Sequence, residues 1–404
     1  MTSWIRGIFL AIFMCAGGPT GAVATDGTVA EEIPTITGLR YGTYEDRVRI
    51  TFDVTPTPAF TVFTLNDPDR LVIDFPAMDW LVDESETKDI PFVSALRHGL
   101  FHRERARVVA MLTAPVRVDR IFTKQPSGAE PGRLVLDLAP VSREAFDRTA
   151  GWPELARWKN REVAAPDFAA TGDLIIALDP GHGGIDPGAS VGGVTEKEVV
   201  LDFAKRLAMV VNEMPGYAAV LTREDDVFIP LAERVAIAHQ VRANLFISIH
   251  ADSLLSGVAR GVSIYTLSER GSDDAAEALA LRENRADVLA GADLGGDSDD
   301  ITRLLIELAQ RGTSVESVKL AQAMIGALRD RVELLRTNPH RQANFRVLKA
   351  PDIPSILMEI GFLNSKTDRD RMTDPRWQNK AAVAVFEGIK EWTAIASPGF
   401  LGPR

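Results

Sequence analysis

Leu174-Ile175-Ile176-Ala177-Leu178-Asp179-Pro180-Gly181-His182-Gly183-Gly184 is a short apolar run that ends in a glycine-rich turn carrying a histidine. A run of this length, bounded by turn residues, reads as a buried strand. Downstream, Thr195-Glu196-Lys197-Glu198 opens a stretch in which Val199, Val200, Phe203, Ala204, Leu207, Val210, Val211 and Met214 recur at helical spacing. Thr195 with Glu198 three residues on is the pattern of a capping box. His182 therefore leaves the carboxyl end of a strand, and Glu196 opens the next helix. In open α/β sheets that edge is where ligands bind.

Two more runs end the same way. Leu245-Phe246-Ile247-Ser248-Ile249 delivers His250, then Ala251-Asp252, and Pro354-Ser355-Ile356-Leu357-Met358 delivers Glu359. If these strands are parallel neighbours, two histidines and two glutamates meet along one sheet edge. Two His and one carboxylate with an open fourth position form a catalytic zinc set, and a further Glu beside it serves as general base. Each residue also has a plainer reading. A histidine at a strand end is commonly a hydrogen-bonded turn residue, and a glutamate at a helix start complements the dipole. Glu359 is harder to explain that way, because a buried unpaired carboxylate is costly; its plain reading is an ion pair with an arginine such as Arg346.

The segments Leu174 to Gly188 with Thr195-Glu196-Lys197, Asn244 to Ser253, and Lys349 to Asn364 resemble the zinc-dependent N-acetylmuramoyl-L-alanine amidases, over about the last 225 residues. The resemblance implies one Zn2+ held by His182, Glu196 and His250, with Glu359 as the catalytic glutamate. It implies hydrolysis of the bond between the lactyl group of N-acetylmuramic acid and L-alanine of the peptidoglycan stem. Glu359 then takes a proton from the attacking water and passes it to the leaving amine. Asp179 and Asp252 sit where they would orient the ligand imidazoles, although turn and cap hydrogen bonding suits the same positions.

At 404 residues, with 46% hydrophobic and 25% charged residues, the chain is expected to form two globular domains. Its formal net charge of -11 and the lack of a basic stripe argue against nucleic acid as a partner. Arg6, the apolar run Ile8 to Cys15 and Ala22-Val23-Ala24 read as a signal peptide over residues 1–24, so a periplasmic address is expected. The apolar run falls short of the ~20 residues a membrane span needs. No other stretch reads as a span, and Cys15, the sole cysteine, lies inside that segment.

Residues 33–140 read as a small all-β sandwich. Arg47 to Val54, Arg70 to Phe75, Arg107 to Leu112 and Arg133 to Leu138 alternate or run apolar, with Pro, Gly and Asp between them. The runs Asp69-Arg70-Leu71-Val72-Ile73-Asp74-Phe75-Pro76 and Gly132-Arg133-Leu134-Val135-Leu136-Asp137-Leu138-Ala139-Pro140 resemble the AMIN domains that precede some amidases, which implies peptidoglycan binding and targeting to the division site. Residues 141–171 read as a linker, with a short helix around 154–163 and two tryptophans, Trp152 and Trp158, suited to docking on a domain. Residues 172–396 alternate strand and helix, giving an α/β domain whose mixed, largely parallel sheet is flanked by helices. Phe345 to Leu348 is expected to be a strand, and Val315 to Leu335 a long amphipathic helix.

Between Ser268 and Ile301 the sheet pattern stops. Residues 269–300 hold ten acids against three bases, with Asp273 to Leu289 compatible with one helix. Such runs are usually solvated surface. The placement also resembles the self-inhibiting insert of division-type amidases, which implies relief by a LytM-type activator. Glu283, read as mid-helix, is the candidate to block the metal, followed by Glu277 and Asp287. A zinc peptidase acting on the stem, or a wall-binding scaffold with a silenced site, remains as an alternative.

Overall fold

Among the described residues, nine strands come first: β1 (Thr35–Thr43), β2 (Val48–Thr55), β3 (Thr61–Leu65), β4 (Arg70–Pro76), β5 (Asp79–Trp80), β6 (Val93–His102), β7 (Arg105–Leu112), β8 (Val116–Lys124) and β9 (Arg133–Pro140). The computed structural model describes residues 33–82, 88–102, 104–153, 173–253, 259–291 and 300–401. The expected signal peptide and the expected helix at 154–163 lie outside them. The strands form two packed sheets, β5-β1-β2-β9-β8 and β3-β4-β7-β6. Period-two alternation sorts the side chains. On β4, Leu71, Ile73 and Phe75 enter the core between the sheets, whereas Val72 joins a separate apolar cluster.

The two similar runs occupy equivalent places. Asp74 of β4 lies opposite Arg107 of β7, and Asp137 of β9 lies opposite Arg49 of β2. Each is a bidentate cross-strand pair: Arg107 donates to Asp74 at 2.5 and 2.8 Å, and Arg49 to Asp137 at 2.7 and 2.8 Å. The first arginine is 1% exposed at its side chain and the second 31%. One sheet is covered; the other faces solvent.

After α1 (Arg143–Thr149), capped by Ser142, Trp152 packs on Phe63 of the covered sheet with ring centroids 5.3 Å apart. The second half then runs β10 (Leu174–Pro180), β11 (Ser190–Val191), β12 (Val194–Thr195), α2 (Glu196–Asn212), β13 (Tyr217–Leu221), α3 (Leu231–Gln240), β14 (Leu245–His250), β15 (Ser263–Leu267), α4 (Asp274–Glu283), α5 (Ala286–Leu289), α6 (Asp300–Arg329), β16 (His340–Ala343), β17 (Ser355–Glu359), α7 (Lys366–Met372) and α8 (Pro375–Ile395). Its main sheet has the order β13-β10-β14-β17-β15-β16. Neighbours pair parallel except β15 with β17. Both faces are covered, as continuous apolar strands require. Leu174, Ile176 and Leu178 pack toward α2 and α8, while Ile175 and Ala177 pack toward the opposite helical layer. The fold class is therefore as expected: an all-β sandwich followed by an α/β domain with a largely parallel sheet. Among the described residues no helix is long and apolar enough to cross a membrane.

Four local expectations change. Phe345 to Leu348 is not a strand: Arg346–Leu348 is a 3-10 turn whose Val347 and Leu348 fill the layer over Ile175 and Ala177. The strand is His340–Ala343, pairing parallel with β15; its polar sequence hid it. The insert helix is broken at Asn284-Arg285, where the Asn284 side chain donates to Asn344 O and accepts from Arg346 N, both at 2.7 Å. The long helix begins at Asp300 and ends at Arg329. Thr195 does precede α2, but its hydroxyl bonds the Glu198 carboxylate at 2.5 Å rather than a backbone N–H.

Candidate metal centre

The parallel register does what the strand-end reading requires. Pro180 of β10 lies beside Ile249 of β14, and His250 lies beside Glu359 of β17. His182 follows on a turn in which it adopts a left-handed backbone (φ 57), a conformation that costs a non-glycine residue roughly 1–3 kcal/mol. Two buried arginines hold that turn. Arg234 donates to the carbonyls of Pro180 and His182, each at 2.8 Å, and to Asp179 at 2.8 Å. Arg223 donates to the carbonyls of Pro180, Gly181 and Lys197 at 3.0, 2.8 and 2.8 Å. Burial, and then the charge of Arg234, pushes the Arg223 guanidinium down to about 10. Gly181 admits the second imidazole: a Cβ there would stand inside the His250 ring.

Four donor atoms converge. Nε2 of His182 lies 3.1 Å from Glu196 Oε1 and 3.3 Å from Glu283 Oε2; Nδ1 of His250 lies 3.2 and 3.4 Å from the same two oxygens. Ligands at zinc distances of 2.0–2.2 Å in a tetrahedron stand about 3.3–3.5 Å apart, so these separations match the edges of such a site. Among the described residues, ligand atoms of His182, His250 and Glu283 all lie within 4.8 Å of one another, and Glu196 belongs with them because its Oε1 touches both rings. All four residues are buried, and Nε2 of His182 is a buried atom without a hydrogen-bond partner. A buried imidazole nitrogen with no partner is what a metal would satisfy. The donor set fits a divalent ion.

The electrostatics point the same way. Burial lowers the His182 pKa, but Glu196, Asp186 and Glu283 outweigh it and raise it well above the ordinary value. Burial raises Glu196, yet the histidines hold it well below the carboxylate range. Glu283 is pushed up, by burial first, with Glu196 adding to it. Glu359, 0% exposed, is pushed well up by burial and then by Asp252, Glu196 and Glu283. Its Oε2 accepts from the Asp252 N–H at 2.8 Å, and its Oε1 is buried without a partner.

Two expected roles are corrected. Asp179 does not contact an imidazole; it accepts from Thr222 at 2.6 Å, Ser248 at 2.8 Å and Arg234, and so anchors the arginine that holds the His182 turn. Asp252 pairs with Arg282 from the insert instead of orienting a ring. Nearness in sequence does not tell which way a turn carboxylate faces. The group on His182 is Asp186, whose Oδ2 lies 2.8 Å from Nδ1. Paired backbone bonds between Gly183 and Asp186 close the turn that brings it there. The spacing of four residues inside the glycine-rich turn was its only sequence signal.

In the insert, Glu283 is the last residue of α4 rather than mid-helix, and it reaches the imidazoles. Glu277 instead accepts from Gly271 N at 2.6 Å, and Asp287 from Leu231 N at 2.9 Å. The cavity between the rings and the insert, lined by His182, His250, Glu283, Ala286, Leu231 and Phe345, is about 10 Å³, room for one water at most.

A family model described as N-acetylmuramoyl-L-alanine amidase (Amidase_3) matches residues 176–391, and one described as the AMIN domain matches residues 38–138. The chain is 33% identical to the N-acetylmuramoyl-L-alanine amidase AmiC of Neisseria meningitidis over 89% of this chain and 90% of that protein. It is 32% identical to AmiC of Escherichia coli over 86% of each. Among solved structures, the N-acetylmuramoyl-L-alanine amidase AmiC2 of Nostoc punctiforme aligns with 28% identity and a TM-score of 0.42, over 55% of this chain and 99% of that one.

Proposed function

This chain belongs to the N-acetylmuramoyl-L-alanine amidase family and carries an AMIN domain, and from that premise we propose a zinc-dependent, self-inhibited enzyme. It hydrolyses the amide between the lactyl group of N-acetylmuramic acid and L-alanine of peptidoglycan stems, in wall remodelling and daughter-cell separation. The observation that carries the reading is the convergence of His182, His250, Glu196 and Glu283 at tetrahedral spacing beside the buried Glu359.

In this reading His182, Glu196 and His250 would hold the ion, and Glu283, which reaches the same two imidazoles, would compete with substrate for it. Zinc bound there supplies Lewis acidity, which polarises the amide carbonyl and makes a water easier to deprotonate. Asp186 accepts a hydrogen bond from the Nδ1–H of His182, leaving Nε2 turned toward the centre. Glu359 accepts the proton of the attacking water on its unpartnered Oε1 and returns it to the leaving amine. A carboxylate with a raised pKa suits that exchange near neutral pH. Glu283 blocks the centre at rest, and a cavity that admits one water is too small for a sugar or a peptide, so α4 has to leave before substrate enters.

The remaining assignments go with this function. Residues 1–24 direct export to the periplasm and are removed. Residues 33–140 bind the wall and target the enzyme, 141–171 link, and 172–396 catalyse, with 269–300 as the regulatory insert. A LytM-type activator relieves the block. Digestion of purified peptidoglycan by the full chain and by Glu283→Ala, with zinc or with a chelator, tests the reading. Free stem peptides beginning at L-alanine, released faster by the variant and abolished by the chelator, are expected. Shortened stems still attached to sugar would replace the amidase with a peptidase.

A further inference from the structure

Glu283 closes the centre only as long as the segment that follows it stays in place. On one side the α/β domain holds that segment through Asn284, and through Asp287 at the start of α3. The other side is built by the sandwich, more than 170 residues earlier in the chain. Arg70 of β4, 5% exposed, donates to Val288 O at 2.7 Å, and Arg107 of β7, 1% exposed, donates to Gly291 O. Around them Ala286 and Ala290 share an apolar cluster with Phe63, Val72, Phe101 and Val109. Residues 33–404 cluster as one compact unit, and this contact is part of what joins the two domains.

Neither arginine is spent on ordinary sandwich packing alone. Arg70 donates to three carbonyls, Asn66 O, Pro68 O and Val288 O. Burial, then the charge of Arg107, pushes it down to about 10. Burying a cation is costly; the Asp67 carboxylate offsets part of that, and the insert supplies one of the three carbonyls. Arg107 is already satisfied by Asp74, with its guanidinium 3.6 Å from the Phe101 ring centroid, yet it still turns one N–H to the insert. The equivalent pair on the open sheet, Arg49 with Asp137, shows what the same motif does without a segment over it: Arg49 remains partly in solvent.

We infer that the outer face of sheet β3-β4-β7-β6 is the docking surface for residues 286–291, and that Arg70 and Arg107 hold the insert shut from the sandwich side. The sandwich is then half of the closed state, not only a wall-binding appendage. Opening the site requires the segment to leave this face, so an event that shifts the sandwich relative to the α/β domain changes the fraction of open enzyme. The inference rests on the reading of Glu283 as the block.

The test uses the full chain without activator and follows two readouts, dye release from labelled peptidoglycan and hydrogen exchange at 286–291. Arg70→Met with Arg107→Met removes the two charged donors. Ala290→Trp disturbs the same contact from the insert side, in case loss of Arg107 unfolds the sandwich by stranding Asp74. Faster exchange at 286–291 with a rise in dye release of roughly ten-fold or more is expected, since each lost charge-assisted bond shifts the closed population substantially. Unchanged exchange in folded variants overturns the docking. Faster exchange with flat release, while Glu283→Ala is active, overturns its role in closure. Failure of Glu283→Ala alone to activate counts against the block itself, and exchange then still decides whether the face docks the segment.

Discussion

Two buried glutamates with raised pKa values meet at one centre, and they come from opposite kinds of structure. Glu359 ends a central strand flanked by β14 and β15, and its place is set by ladder hydrogen bonds on both sides. Glu283 ends a ten-residue helix in an acidic insert, and its place is set by side chains borrowed from elsewhere: Asn284 on the 3-10 turn, Asp287 on α3, and two arginines from the other domain. A group built into a sheet edge cannot leave without unfolding the sheet. A group held by a few side-chain contacts can leave as a unit, because local opening costs only what those contacts contribute. On the proposed reading, that difference separates a catalytic carboxylate from a removable one.

The comparison breaks hardest at its fixed side. Glu359→Gln keeps the shape and loses the proton acceptor, so turnover should fall by about 10²–10⁴-fold. Circular dichroism and zinc content should stay unchanged, and activity within a few-fold of wild type would remove Glu359 from the chemistry. Next comes the anchor of the strand-end turn. Arg234→Met strands the fully buried Asp179, and breaking such a pair should cost about 3–5 kcal/mol of unfolding free energy, measured by denaturant titration of the metal-free chain. A loss below about 1 kcal/mol would mean that the turn is held otherwise.

Smaller effects sharpen the picture. Asp186→Asn leaves the His182 ring without its carboxylate, and zinc affinity should drop by about 10–100-fold, read by competition with a chelating dye. Affinity equal to wild type would show that the ring is oriented by packing alone. The smallest effect is in pH. Burial raises the Asp179 pKa, but Arg234, Thr222 and Ser248 together bring it below its ordinary value. In wild type this carboxylate therefore adds stability above the ordinary Asp range, and the gain is lost as pH falls through the folded pKa. In Arg234→Met burial prevails, the folded pKa lies above the unfolded one, and acid relieves the strain. The stability gap between the two should narrow as pH falls, first through the variant's raised pKa and then, below about 4, through the wild type's lowered one; a constant gap would contradict the assigned pair.

Much of the centre was readable in the chain because three strand ends each carry one polar group after an apolar run. His182, His250 and Glu359 stand at such places, and Glu196 at the first position of the helix that follows. Asp186 was passed over because its signal is only a spacing inside a turn, and the turn's closure depends on backbone bonds to Gly183. Asp179 and Asp252 were misassigned for a related reason: adjacency to a candidate ligand says nothing about the direction of a side chain. The β16 strand was missed because His340-Arg341-Gln342-Ala343 has no apolar alternation, and its pairing with β15 comes from the sheet. The acidic insert was recognisable by charge, but not the break at Asn284 that turns its second half toward the sandwich.

Periodicity by itself determined the two architectures, an alternating β sandwich and an α/β sheet with polar groups at its carboxyl edge, because strand and helix periods are local properties of the chain. Only the tertiary structure decided which carboxylate supports His182, which acid of the insert reaches the imidazoles, and that arginines 70 and 107 grip residues 288 and 291. Apart from the four-residue step from His182 to Asp186, those choices depend on contacts between segments dozens to more than two hundred residues apart. Such contacts form when sheets and domains pack, and no spacing along the chain encodes them.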